Sequence, residues 1–395
     1  MNLWHSELLF GLLAVQLPMT AVLLARLLPG LRRRDPLQPI PSDPSGSSQG
    51  LVSVIVPTLN EAERIGDCLS GLQQQGSEVA EIVVVDSRST DQTVAKVQAV
   101  SEQDPRFRVE YDDPLPPGWV GRPWALHTGY LRSSPETEWI LDMDADTAAR
   151  PGLVAALLQV TQQEQWDLIT LAPQFILKYP GESWIQPALL TTLIYRFGAV
   201  GSETVSSDRV MANGQCLWVK KSVLAAVGGH ESSRLSFCDD VTLVRAIAAA
   251  GYRVGFLDGS QLFQVRMYTS FQETWREWGR SLDLKDASPW GQIWGDCLFL
   301  LATQALPLVL LITLVASQAW RWGSPLVWAC LGLNGFLVML RIAVLAGTQG
   351  SYGHKAWSFW LSPLADPLAV LRIILSAGSR PRSWRGRSYE QLGQE

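Results

Sequence analysis

Apolar residues along this chain follow three patterns, and each predicts a different kind of element. Leu8 to Leu28 is apolar apart from Gln16, Thr20 and Arg26. At about 1.5 Å per residue that run is long enough to span a bilayer core. From Leu51 the pattern changes to short β-branched runs separated by helical periods: Val52 to Val56, then Ile65, Cys68, Leu69 and Leu72; Ile82 to Val85, then Val94, Val97 and Val100. Trp139 to Leu141, Leu168 to Leu171 and Gly251 to Leu257 continue the strand series. Strands alternating with helices predict a largely parallel sheet with crossover connections, an α/β domain. The first pattern then returns, because Leu298 to Val315 and Leu326 to Ala346 are again long enough, or nearly so, to cross a membrane. Trp294, Trp320, Trp322 and Trp328 stand near their ends, where aromatic belts are expected.

Flanking charges orient these spans. A secretory signal carries its positive charge before the apolar run; here His5 and Glu7 precede it and Arg32, Arg33 and Arg34 follow, so it reads as an uncleaved anchor with its C-terminal end in the cytoplasm. Trp357 to Leu375 is a further candidate, interrupted by Pro363, Asp366, Pro367 and Arg372. If it crossed, Arg380, Arg382, Arg385 and Arg387 would lie outside, against the positive-inside tendency. It is therefore expected to be interfacial or re-entrant, with its irregular backbone covered by protein. Phe271, Trp275, Trp278 and Leu282 form one stripe of an amphipathic helix flanked by Arg276, Arg280 and Lys285, and both core packing and membrane contact are open to it. Pro36 to Gly50 is rich in Pro, Ser and Gly, a linker with too little apolar surface to pack. The expected organisation is an anchor over 1–30, a linker over 31–50, the α/β domain over 51–265 and an interfacial helix over 266–290. Two membrane helices over 291–346 and an interfacial or re-entrant segment with a basic tail over 347–395 complete it.

Composition narrows the chemistry. The 395 residues leave room for one such domain beside the membrane segments, and a hydrophobic content of 47% is high for a soluble protein, with the excess concentrated near the two ends. A net charge of −5, without a basic stripe carrying interleaved aromatics, gives no indication of a nucleic-acid partner. Cys68, Cys216, Cys238, Cys297 and Cys330 show no paired spacing, so neither a zinc site nor a disulfide framework is supported, as suits a reducing, cytosol-facing domain. Neither a P-loop signature nor a G-x-G-x-x-G follows the first strand, so a bound diphosphate would be neutralised by metal and basic side chains.

Acids gather at the ends of the strand-like runs: Asp86 after Glu81 to Val85, Asp144-Ala145-Asp146 after Trp139 to Leu141, and Asp239-Asp240 before a helical run. Ionised side chains are costly inside a sheet, so such acids face the crevice where open α/β sheets bind ligands. An isolated Asp after a strand can equally cap the next helix, and Asp86 and Asp91 are open to that reading. Asp144 and Asp146 are harder to explain as caps. They repel unless a cation lies between them, and an oxygen-only pair suits Mg²⁺ or Mn²⁺ that also holds substrate phosphates. Asp239 and Asp240 stand where a helix N-terminus favours ionised carboxylates. His127 and His230 are read as structural. Trp184 to Val200 is long enough for a helix, either an ordinary buried one or the lining of an apolar acceptor path.

Val54-Ile55-Val56-Pro57-Thr58-Leu59-Asn60-Glu61, Val83-Val84-Val85-Asp86-Ser87-Arg88-Ser89-Thr90-Asp91, Asp144-Ala145-Asp146, and Asp239-Asp240 with Leu243 and Arg245 together resemble family 2 glycosyltransferases of the inverting, metal-dependent GT-A fold. The resemblance implies a Rossmann-like domain that binds a nucleotide sugar, with Pro57, Thr58, Asn60 and Glu61 near the nucleoside and Asp86 toward the base. It places Asp144 by the ribose and metal, Asp146 on a Mg or Mn ion, and Asp240 as general base supported by Asp239. Gly118-Trp119-Val120-Gly121-Arg122-Pro123-Trp124-Ala125-Leu126 resembles a narrower group that glycosylates carotenoids, with relatives associated with hopanoid synthesis. Many of those carry Lys where Arg122 stands, and either cation could contact the nucleotide. Ser383 to Tyr389 is similar to a tail of the same group, its arginines suited to phosphate or anionic lipid. Gln272-Glu273-Thr274-Trp275-Arg276 is the nearest string to the Gln-x-x-Arg-Trp of the processive branch, with its last two residues reversed, which weakens a polymer-synthase reading.

The implied protein is a bacterial integral membrane enzyme with its catalytic domain in the cytoplasm. It would move sugar, with inversion, from a nucleoside-diphosphate sugar to a lipophilic hydroxyl, a carotenoid foremost. Transfer to ceramide, diacylglycerol or polyprenyl phosphate is a second reading. A non-catalytic nucleotide-sugar-binding scaffold is a third, disfavoured because both metal acids and the base candidate are present.

Overall fold

The computed structural model describes residues 3–42, 49–202, 206–278, 282, 284–378, 383–384 and 387–388. The chain forms two units: an α/β unit built from Arg34–Ile176 and Val200–Met267, and a helical unit built from Met1–Arg33, Leu177–Ala199 and Tyr268–Arg380.

In the α/β unit the strands are β1 (Val52–Thr58), β2 (Val79–Asp86), β3 (Phe107–Tyr111), β4 (Trp139–Met143), β5 (Thr147–Ala149), β6 (Leu168–Ala172), β7 (Gln174–Phe175), β8 (Cys216–Lys220), β9 (Val254–Asp258) and β10 (Phe263–Val265). The main sheet has the order β3-β2-β1-β4-β8-β6-β9, and β5, β10 and β7 make a small second sheet. Only β8 runs against its main-sheet neighbours β4 and β6; the other pairings there are parallel, as the alternation of strands and helices predicts. Val52, Val54, Ile55, Val56, Ile140 and Leu141 are all buried, as expected of central strands covered on both faces, and Ser53 and Asp142 are the polar residues buried among them.

Close helix contacts fix the mouth of this sheet. Helix Ile65–Gln73 buries Ile65, Cys68, Leu69 and Leu72, one stripe at helical spacing. Gly129 lets helix Gly121–Arg132 press onto β1, since a Cβ there would stand 2.4 Å from Ile55 Cγ2. That helix carries Arg122 in its first turn, so its seating sets where the guanidinium reaches.

The expected linker packs in part. Leu37 joins the α/β core, its N–H donates to the Asp258 carbonyl at 2.9 Å, and Ile40 packs on the same core. Two apolar side chains in a Pro-rich stretch suffice when backbone donors also find partners.

Among the described residues of the helical unit, three helices are long and apolar enough to cross a membrane: Ser6–Arg32, Trp290–Ala316 and Pro325–Gly347. The second passes through a π turn at Leu301–Ala305, just before Pro307, whose ring and missing N–H interrupt the regular ladder. Helix Pro180–Phe197, inside the 51–265 range, belongs to this unit; Ile185, Ala188, Leu189 and Tyr195 bury with Leu23, Phe299, Leu337 and Ile373. Within 266–290, where an interfacial helix is expected, the described residues include a short helix Phe271–Glu273 followed by a π turn Thr274–Trp278. Phe271, Trp275 and Trp278 turn toward the core, where Leu282 is buried, because wide aromatic faces gain most from being covered. Over 357–375 the chain breaks into helix Trp357–Trp360, a 3₁₀ turn Ser362–Ala365 and helix Asp366–Ala377. Its Ala365, Ala369, Val370 and Ile373 are buried, whereas Trp357, Trp360, Leu361, Leu364, Leu371 and Leu375 are exposed. Arg280, Arg380, Arg382 and most of the tail Ser383 to Tyr389 lie outside the described residues.

Candidate active site

The loops after β1 and β2 are stitched into one floor. Parallel register places Thr58 beside Asp86, and Thr58 Oγ1 donates to Asp86 Oδ1 at 3.2 Å. Asp86 Oδ2 accepts from the Ser89 N–H at 2.9 Å, so this acid shapes its own loop, and Asp91 accepts from the Thr93 N–H at the start of the next helix. Asn60 adopts a positive φ of 56°, tolerated by its short polar side chain, whose Oδ1 accepts from the Thr90 N–H at 2.8 Å. The Glu61 N–H donates to Thr93 Oγ1 at 2.8 Å, and the Glu61 carbonyl accepts from the N–H groups of Arg64 and Ile65. Pro57 and Thr58 end β1 directly before this floor.

Asp144 and Asp146 occupy the turn between β4 and β5. The Asp144 carbonyl accepts from the Thr147 hydroxyl at 2.7 Å, and the Asp144 N–H donates to the Gln215 carbonyl at 3.2 Å. Oδ1 of Asp146 is buried without a hydrogen-bond partner. Burial, then the charge of Asp144, pushes the Asp146 carboxyl up to about 7, against the opposing pull of Arg64. Among the described residues no three His, Cys, Asp or Glu groups gather as a ready metal cage. An orphaned carboxylate oxygen and an oxygen-only pair fit Mg²⁺ or Mn²⁺, which take one or two carboxylates and fill the remaining positions from phosphates and water.

Asp239 and Asp240 open helix Asp239–Ala249. Asp240 Oδ2 accepts from the Gly214 N–H at 2.7 Å. Arg122 joins the remaining acids: Nε and Nη2 donate to Asp144 Oδ1 at 3.1 and 2.8 Å, Nη1 donates to Asp239 Oδ2, and Nη2 also reaches the Gly214 carbonyl at 2.8 Å. Burial pushes Asp239 up to about 6, with Arg122 pulling the other way and Asp240 adding to the rise. Burial raises Asp240 as well. For Arg122 burial acts downward, and the charges of Asp144, Asp239 and Asp240 more than offset it.

The structure thus brings Arg122, Asp144, Asp239 and Asp240 together, with Arg122 on the carboxylates. Gly214 escaped the sequence reading although a Cβ there would lie 2.8 Å from Arg122 Nη2 and 3.1 Å from the Asp240 Cβ. Arg64, whose charge acts on Asp146, was also missed. So was Asp142, an acid in mid-strand: it is buried, pushed up to about 8 by that burial, and lies 3.6 Å from Nε2 of His230. Its place between Leu141 and Met143 in a buried run was the available signal. His127 keeps a structural part, its Nδ1 accepting from the His230 N–H at 3.3 Å and its ring lying 5.0 Å from Trp119.

Residues 53–225 match the family model described as Glycosyl transferase family 2. The chain is similar to 4,4'-diaponeurosporenoate glycosyltransferase of Staphylococcus haemolyticus (strain JCSC1435), 24% identical over 240 residues, covering 60% of this chain and 62% of that protein. The protein of the same description in Staphylococcus aureus (strain MRSA252) is 24% identical over 230 residues, covering 57% and 59%. The chain therefore spans about three fifths of the length of these curated relatives. Among solved structures it is similar to the mannosyltransferase PcManGT from Pyrobaculum calidifontis in complex with GDP-Man and Mn²⁺, at 18% identity and a TM-score of 0.49 over 93% of this chain and 98% of that one.

Proposed function

From the match of residues 53–225 to the family model described as Glycosyl transferase family 2, we propose that the chain transfers sugar from a nucleoside-diphosphate sugar to a lipophilic hydroxyl acceptor, an isoprenoid of the carotenoid class. The observation that carries this reading is the set of acids at the mouth of the sheet, gathered around one arginine. Pro57, Thr58, Asn60, Glu61 and Asp86 form a floor for the nucleoside. Asp144 and Asp146 would hold a divalent ion, which supplies charge neutralisation for the leaving diphosphate. Asp240, fixed through one oxygen by the Gly214 N–H, takes the proton of the acceptor hydroxyl, and Asp239 supports it through Arg122. Attack on the face opposite the diphosphate inverts the anomeric centre. The descriptions of the staphylococcal relatives name a carotenoid carboxylate, which supports the isoprenoid class of the acceptor and not its hydroxyl, and three helices apolar enough to cross a membrane support a lipid-dissolved acceptor. Arg32, Arg33 and Arg34 after the first of those helices support a cytoplasmic catalytic unit.

The test expresses the full chain and its Asp146→Asn variant in a host that makes hydroxylated carotenoids, and profiles lipid and pigment extracts by mass spectrometry. The expected result is a hexosylated isoprenoid made by the wild type and absent from the variant at matched membrane levels. Sugar appearing instead on ceramide or diacylglycerol would overturn the acceptor class. No new glycolipid of any kind, with a folded protein and nucleotide sugars supplied, would overturn transfer.

A further inference from the structure

The Arg122 guanidinium is committed on all three nitrogens. Nε and Nη2 converge on Asp144 Oδ1, Nη1 bonds Asp239 Oδ2, and Nη2 also bonds the Gly214 carbonyl. Its side chain is 17% exposed, and the partners come from three separate segments: the turn after β4, the stretch before β8 and the start of helix Asp239–Ala249. A planar fork can tie two carboxylates on different elements at once, which an ammonium point charge does poorly. Gly214 keeps the space for that fork, since any Cβ would collide with Nη2. An arginine held this way has little left with which to grip a phosphate. It stands where a cation is needed when no metal is present.

We propose that Arg122 is a placeholder cation: it holds Asp144 and Asp239 together before substrate arrives, competes with a divalent ion for Asp144, and so makes the ion bind well only when a nucleoside diphosphate comes with it. The proposal rests on the metal-and-nucleotide reading of this site. Like charges in a partly buried site repel, so an ion approaching Asp144 meets both a blocked oxygen and the guanidinium. The diphosphate supplies the anionic oxygens that offset this repulsion.

The test uses the purified full chain in detergent and follows free Mn²⁺ by its electron-paramagnetic signal, alone and then with UDP or GDP. Arg122→Met is expected to bind Mn²⁺ alone about tenfold tighter than wild type, equivalent to about one pKa unit of lost repulsion, and to gain much less from added nucleotide. Arg122→Lys, which keeps the charge and loses the fork, should fall between the two and serves where the Met variant melts early. Mn²⁺ affinity that is unchanged or weaker in both variants would overturn the proposal. So would a large loss of UDP and GDP binding by Arg122→Met in the presence of chelator, which would make Arg122 a phosphate ligand instead. Neither readout needs an acceptor, so failure of the transfer reading is separable from failure of this one.

Discussion

Both units bury charged side chains, but they balance them differently. In the α/β unit Asp144, Asp239 and Asp240 share one Arg122, and Asp146 keeps an oxygen without a partner. In the helical unit Arg341 and Asp366 cancel one for one, with Nε of Arg341 at 3.1 and 2.8 Å from the two carboxylate oxygens. Neutral groups add to that pair: Ser362 Oγ lies 3.0 Å from Arg341 Nη2, and Gln304 Nε2 donates to Asp366 Oδ1 at 3.0 Å and to the Ala188 carbonyl at 2.9 Å, while Arg341 Nη1 is buried without a hydrogen-bond partner. An excess of one sign is the mark of a site awaiting a ligand, and a pair matched in charge is the mark of a joint. The Arg341–Asp366 joint ties helix Pro325–Gly347 to the broken segment at 357–377.

The largest effect should follow from cutting that joint. Arg341→Met leaves the Asp366 carboxylate buried without its cation, and about 3–5 kcal/mol of stability should be lost. Removing both charges, Arg341→Met with Asp366→Leu, should recover most of it, because the desolvation cost disappears with the pair. Thermal unfolding in detergent measures both. A single variant that melts within a degree or two of wild type would mean that the pair does not hold the segment.

The α/β unit should respond in the opposite way, losing chemistry and keeping its fold. Asp240→Asn retains the acceptor oxygen for the Gly214 N–H and should cost about 1 kcal/mol or less as a helix-terminal change. Transfer should fall by at least the roughly 10²-fold typical of a missing general base. Asp239→Asn should lose less, because it alters only the support. The comparison is made at matched nucleotide-sugar binding, and unchanged transfer in Asp240→Asn would remove the base assignment.

What was legible in the sequence follows the same division. Acids at strand ends could be found because the β-branched runs around them have a fixed length and polarity, so Asp86, Asp144 and Asp146 announce themselves locally. The apolar spans are legible for the same reason. Gly214, Arg64 and the Asp142–His230 pair were not, since their meaning lies in partners far along the chain: Gly214 matters only against Arg122 and Asp240. Arg122 itself was visible, yet a loop pattern cannot tell whether a cation faces phosphate or carboxylate. The stripe Phe271, Trp275, Trp278 shows that a face is apolar without saying what covers it, and here the core does. Leu37 and Ile40 packed because two neighbouring carbonyls, of Asp258 and Gly152, accept their N–H groups, a feature no composition reveals.

The smallest expected effect is a pH dependence that separates the open site from the closed joint. Burial first, and the Asp144 charge second, push the Asp146 carboxyl up to about 7. Its folded value therefore stands above its unfolded one, so the metal-free fold binds more protons between about pH 4 and about pH 7 and loses stability as pH rises through that window. A metal ion needs the ionised form. Mn²⁺ affinity with nucleotide present should accordingly rise with pH, by about fivefold between about pH 6 and about pH 7, and flatten above. Asp146→Asn has no proton to lose there, so the difference between wild type and variant isolates this group from every other titrating residue. Calorimetric titration with Mn²⁺ and thermal melts of the metal-free proteins, run across that range, measure the two opposed slopes. A wild-type affinity flat from about pH 6 to about pH 8 would mean that Asp146 is ionised throughout and that Arg64, with the rest of the site, already balances its charge without a metal.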